Sequence, residues 1–149
     1  MRKRWFLGMG VAALGGLSML FVSSESMAGG GEASLFERIG ELDGVTTVID
    51  TFLGSVGADD RVNVRFVNTD MAVFRGHMID QVCEATGGPC TYKGKTMLDA
   101  HQGMGISEEE FGIIAGHFAA AMTSAGVDPE DHATIMGVLG GMHDDIVGH

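Results

Sequence analysis

Residues 87–106, GGPCTYKGKTMLDAHQGMGI, decide how the chain is read. A Gly-Gly-Pro turn leads into one short amphipathic run carrying His101, and Gly103 and Gly105 follow it. Met97, Leu98 and Met104 flank the histidine at helical spacing, so its imidazole is expected to face the core. A neutral imidazole on an apolar face is either a core histidine satisfied by its neighbours or an axial ligand for something bound in that core.

Helical periodicity extends outward from this stretch on both sides. Toward the N-terminus, Asp70 reads as the N-cap of a helix running to about Thr86, with Met71, Phe74, Met78 and Val82 inward. Gly87-Gly88-Pro89 ends that helix, because proline cannot continue it and glycine tolerates left-handed dihedrals. Further back, Val45, Val48, Ile49, Phe52, Leu53 and Val56 mark one broad apolar face, and Asp59-Asp60 cap a short turn ending near Phe66. Toward the C-terminus, Ser107 and Glu110 form a capping box that opens a helix through Phe111, Ile114, Phe118 and Met122, closed by Gly126. Pro129-Glu130-Asp131 starts a last helix with Ile135, Val138, Leu139 and Met142 inward. No good strand, internal repeat or low-complexity segment interrupts this pattern. It predicts a small all-α domain of about five main helices.

The first 28 residues read differently. Arg2, Lys3 and Arg4 precede an almost wholly apolar or glycine run from Trp5 to Val22, and Ser26-Met27-Ala28 supplies small residues at the −3 and −1 positions of a cleavage site. This is the anatomy of a secretory signal peptide cleaved near Ala28, and the expected location is the periplasm. An uncleaved membrane anchor is the alternative, since the apolar run approaches spanning length. Residues 29–34 then form a short linker and residues 35–149 the domain.

The chain carries 9 basic and 20 acidic residues. Without the leader's Arg2, Lys3, Arg4 and Glu25 the balance is 6 to 19, a net of −13, which repels nucleic acid and anionic lipid. Cys83 and Cys90 are the only cysteines, and an even count in an exported chain points to a disulfide stapling the helix end to the Gly-Gly-Pro turn. No C-x-x-C-H is present, so covalent haem attachment of the c type is not indicated. Six histidines and eleven methionines invite a metal reading. However, no H-E-x-x-H or close His/Cys pairing supports zinc, and no local signature supports a Ser or Cys nucleophile. His132, His143 and His149 read as solvated surface residues, and His117 as a core or boundary residue.

His77 is different. It lies at i+3 from Phe74 and one position before Met78, at the rim of the same apolar face. This helix, facing the short run with an inward His101, can present two imidazoles to one planar cofactor. Leu53, Phe66, Phe74, Met78, Val82 and Met97 would line a dry slot of the kind non-covalent haem requires.

From Leu35 to Val147 the chain resembles the group I truncated haemoglobins. The resemblance rests on Leu35-Phe36-Glu37-Arg38-Ile39-Gly40, Asp50-Thr51-Phe52, Phe66, Asp70-Met71, Gly87-Gly88-Pro89 and Tyr92 with Gly94. It continues through Ala100-His101-Gln102-Gly103, Gly105-Ile106, Phe111, Gly116-His117 and Gly126-Val127. It implies a globin-like, truncated two-over-two helical sandwich holding haem b iron, with His101 as proximal ligand and Phe66 packed on the porphyrin. It also implies a departure on the distal side. Where members usually carry a tyrosine, this chain has Leu53, and the two often polar distal positions are Phe74 and Met78. None of these donates a hydrogen bond to bound O2, and each such charge-assisted bond is worth on the order of 1.5–3 kcal/mol. Tight O2 storage and oxidation of NO are therefore not favoured.

His77 matches the position at which some cyanobacterial members resemble bis-histidyl haem proteins, so it is either a second iron ligand or a rim residue near a propionate. Met78 is a lesser candidate for that sixth position. Arg75, Lys93 and Lys95 are candidate propionate partners. The expected activity is reversible binding of a diatomic gas (O2, NO or CO), served by an unidentified reductase or electron donor. Two rivals remain: electron transfer or redox sensing by six-coordinate haem, and a Met/His-rich periplasmic copper protein. The latter is weakened because most methionines fall on core-facing positions or in the leader.

Overall fold

The computed structural model describes residues 32–149, so the expected signal peptide and most of the linker lie outside the described residues. Seven α-helices and one 3-10 turn follow in order: α1 Leu35–Arg38, α2 Glu41–Gly57, the turn Asn63–Phe66, α3 Met71–Ala85, α4 Met97–His101, α5 Glu108–Ser124, α6 Pro129–Gly140 and α7 His143–Ile146. Strand pairing among the described residues amounts to one isolated bridge, Ile106 with Val147. α2 packs against both α5 and α3, and α5 packs against α6. This is a two-over-two sandwich of helices.

The caps follow the side chains that the sequence places there. Asp70 accepts from the backbone amides of Ala72 and Val73, and Ser107 with Glu110 closes a reciprocal capping box at the start of α5. These bonds satisfy amides that have no partner within their own helix. A second capping box, Ser34 with Glu37, opens α1. Thr96 caps α4 by accepting from the Asp99 amide.

The apolar face of α2 is buried as its periodicity predicts: Val45, Val48, Ile49, Phe52 and Val56 are at most 3% exposed, while Leu53 is only partly buried against them. They meet Phe118, Ala121 and Met122 of α5, with the Phe52 and Phe118 rings edge to face at 5.5 Å. Four apolar positions expected to face inward are exposed, Leu98 at 39% and Met104 at 36% beside His101 among them. Met71 is 41% exposed and Val138 40%. Met71 opens α3 and Val138 falls in the last turn of α6, at the margins of their stripes, where spacing alone overstates burial.

Two glycines permit close approaches that no other residue allows. A Cβ on Gly44 would fall 1.8 Å from the Ile39 carbonyl oxygen, and one on Gly88 would fall 2.6 Å from the Phe36 ring and 2.7 Å from Cys83 Sγ. Gly88 thus lets the α3–α4 loop lie against the disulfide that joins Cys83 to Cys90. Also from α1, Arg38 grips buried Asp131 of α6 through its Nε and an Nη2 contact of 2.6 Å. That guanidinium holds the Asp131 carboxyl below its usual range.

Candidate cofactor site

Between α3 and α4, closed at the back by α5 and α7, lies a cavity of about 470 Å³. This is within the roughly 300–1,000 Å³ of small-molecule and cofactor sites. α3 supplies Phe74, His77, Met78 and Gln81, and α4 supplies Met97, Ala100 and His101. The 3-10 turn adds Arg65 and Phe66, the α3–α4 loop adds Tyr92 and Lys95, and α5 adds Glu110, Phe111, Ile114 and Ala115. Phe66 and Phe74 pack at 5.4 Å between ring centroids.

Seven expected site residues are therefore brought together: Phe66, Phe74, His77, Met78, Lys95, Met97 and His101. Leu53 and Val82 are not among the residues lining this cavity. Phe52 is the α2 residue that reaches it, while Val82 borders a second, smaller cavity of about 80 Å³. Of the three candidate cations, only Lys95 reaches the cavity. Arg75 is engaged elsewhere, with its Nε and Nη2 2.5 and 2.9 Å from the Asp50 carboxylate.

The two histidines are held differently. His101 Nδ1 lies 2.8 Å from the Met97 carbonyl oxygen. A carbonyl can only accept, so Nδ1 carries the proton and donates, and the neutral ring keeps its lone pair on Nε2. A carbonyl accepting from the far ring nitrogen is the arrangement that orients metal-bound histidines. The Thr96 cap and the five-residue span of α4 fix the carbonyl that does it. His77 makes no hydrogen bond with another described residue. Its ring rests edge-on against Tyr92, centroids 5.9 Å apart, and the Tyr92 hydroxyl donates to the Lys95 carbonyl at 2.8 Å.

Polar groups also line the cavity. Arg65 donates through Nε and Nη2 to Glu110 at 2.6 and 2.9 Å, and through Nη1 to the Met104 carbonyl. The guanidinium, aided by the Ser107 amide, holds the Glu110 carboxyl down to about 2. The Lys95 ammonium has no carboxylate partner among the described residues. Arg65, Glu110, Gln81 and Tyr92 were not assigned to the site from sequence. Gln81 had a signal, lying four residues after His77 on the same face, whereas Arg65 and Glu110 are 45 positions apart with no local sign of their pairing.

The remaining histidines are more engaged than expected of solvated residues. His143 Nε2 is 2.8 Å from Glu108 and Nδ1 2.9 Å from Asp144, and its ring meets Phe111 edge-on at 5.0 Å. The two carboxylates, Glu108 foremost, raise its pKa. His132 reaches the Ala119 carbonyl and His149 that of Asp144, while His117 lies at a boundary, 2.8 Å from Asp59.

A helical sandwich enclosing a largely apolar slot, with a histidine on each wall and two cations among its lining, defines a globin. The chain belongs to the bacterial-like globin family, whose model matches residues 34–147, and haem iron is the cofactor of that family. It is 37% identical over 107 residues to the group 1 truncated hemoglobin of Mycolicibacterium paratuberculosis, covering 72% of this chain and 79% of the relative. The truncated hemoglobin of Tetrahymena pyriformis in its Fe(III) form superposes with a TM-score of 0.75 at 30% identity, over 78% of this chain and all of that one. The 2/2 hemoglobin of Synechococcus, in the cyanomet state with covalently attached heme, gives 0.73 at 31% identity over the same shares.

Proposed function

We propose that the cavity holds haem b non-covalently and that the protein reversibly binds a diatomic gas there. The observation that carries this is the His101–Met97 bond, which leaves a lone pair on Nε2 in a dry cavity of haem-compatible size. Iron in the haem supplies the ligand-binding chemistry, and the chain's residues determine its reach. Met97's carbonyl fixes the tautomer of His101. Phe66, Phe74 and Met78 exclude water, and Lys95, which lines the cavity without a carboxylate partner among the described residues, would meet a propionate. Arg75 is withdrawn from that role by Asp50.

Phe74 and Met78 of α3 and Phe52 of α2 line the cavity, and none of these donates a hydrogen bond. Each donor missing costs a polar ligand about ten- to a hundredfold in affinity, which disfavours NO dioxygenase-type activity. His77 lines the same cavity and would offer the iron a second imidazole, one that a gas ligand would compete with. Its contact with Tyr92 and freedom from other hydrogen bonds support this, and they equally favour a second reading, electron transfer or redox sensing by a six-coordinate haem. Export to the periplasm, with cleavage near Ala28 or retention as an anchor, and supply of electrons by a partner are part of the proposal and rest on the leader sequence.

Optical spectra of the haem-loaded protein test the assignment. A low-spin ferrous spectrum that turns high-spin in His77→Ala is the expected outcome. A high-spin spectrum in both refutes ligation by His77, and failure to take up haem refutes the globin chemistry altogether.

A further inference from the structure

Tyr92, the chain's one tyrosine, is half-buried in the cavity lining. Its ring meets that of His77 with centroids 5.9 Å apart and planes at 76°. His77 has no hydrogen-bond partner among the described residues, so this edge contact is the directional restraint on its imidazole. The tyrosine is itself held at three points. Its hydroxyl donates to the Lys95 carbonyl at 2.8 Å. Its ring folds over Gly94, where a Cβ would overlap the phenol. Two residues before it, Cys90 is bonded to Cys83 of α3, the helix that carries His77. Loop and helix are therefore joined covalently close to the two rings.

From this geometry we infer that Tyr92 is the positioning residue of His77, keeping its imidazole along the cavity wall and so setting how strongly it competes with a gas ligand. The inference rests on the reading of His77 as an exchangeable ligand and deepens it. A histidine side chain free to change rotamer gives up that freedom when it ligates a metal. An edge-to-face neighbour that already restricts the ring removes part of the cost beforehand.

The test compares wild type, Tyr92→Phe, Tyr92→Leu and Gly94→Ala, each loaded with haem. The readouts are the low-spin fraction of the ferrous spectrum and the rate of CO association. Phenylalanine keeps the ring edge and loses only the hydroxyl, while Gly94→Ala keeps both rings and drives the phenol from its seat. Tyr92→Leu and Gly94→Ala are expected to weaken ligation by His77 about two- to tenfold, the size of one aromatic pair, and Tyr92→Phe less than twofold. CO association should accelerate in step. In a His77→Ala background the same substitutions should leave CO association unchanged, which a merely structural role would not. Wild-type behaviour in Tyr92→Leu, a loss in Tyr92→Phe as large as in Tyr92→Leu, or an effect that persists without His77 overturns the inference. A wild type that takes up haem but stays high-spin fails the ligation reading, and one without a Soret band fails the haem reading. Either takes the inference with it, and the three failures remain distinct.

Discussion

His101 and His77 face one cavity, yet the chain holds them by different means. His101 is fixed by backbone: a five-residue helix, a threonine cap and a main-chain carbonyl 2.8 Å from Nδ1. His77 sits on a fifteen-residue helix, and its ring meets the edge of Tyr92 with no hydrogen-bond partner among the described residues. A backbone-held imidazole keeps one tautomer and one direction, as a permanent ligand needs. A ring held by contact alone can leave, as an exchangeable ligand must. The His101 wall is thus held by hydrogen-bond geometry, and the His77 wall by apolar contact.

The loop joining the two walls gives the largest means of breaking this contrast. Cys83 is fully buried and its bond to Cys90 closes a short loop, so the double replacement Cys83→Ser/Cys90→Ser should lower stability by about 2 kcal/mol or more. Urea unfolding measures this, and an unchanged midpoint at equal m-value would show that the staple constrains nothing. Because the loop carries Tyr92, the same variant should shift the spectrum of the His77-dependent state more than it weakens haem retention.

Thr96→Ala sharpens the proximal side. Losing an N-cap costs about 1 kcal/mol, and in so short a helix the effect should fall locally on α4. Faster haem loss, with the ferrous ligation state unchanged, is the expected result; transfer of haem to a scavenger protein reports it. Equal loss from wild type and variant would mean that the cap does not support His101.

The smallest effect concerns pH. Glu110's carboxyl is held down to about 2, chiefly by Arg65, so its contribution to stability is complete above the usual carboxylate range and disappears as pH falls from there toward 2. Glu110→Gln should therefore flatten the acid limb of the stability curve. His143 has the opposite sign: raised by Glu108 and Asp144, it stabilises fully below the ordinary histidine value and loses that contribution as pH rises through its raised one. Denaturation midpoints across pH 3–9 check both, and parallel curves for wild type and Glu110→Gln would contradict the first.

Much of the fold could be read from local pattern. The Asp70 and Ser107 caps, the α2 stripe and the Cys83–Cys90 pair all depend on residues within a few positions of one another, which a sequence displays directly. His77 and His101 were found because each carried helical spacing relative to apolar neighbours. The polar part of the cavity lining was not found. Arg65 meets Glu110 only after α5 folds back across the 3-10 turn, and Arg75 is taken by Asp50 across 25 positions. Leu53 and Val82 show the same limit from the other side. Each lies on an apolar face, but a helix meets a cavity along a narrower arc than it presents to the core, and Phe52 and Gln81 occupy that arc.

On the proposed function, His101 would hold the haem iron through Nε2. His101→Gly tests it most directly, because the vacated space can be refilled by free imidazole. The variant is predicted to fold, to fail to retain haem alone, and to recover haem and a near-wild-type spectrum when imidazole is added. Retention of haem with an unaltered spectrum in the absence of imidazole would contradict the account.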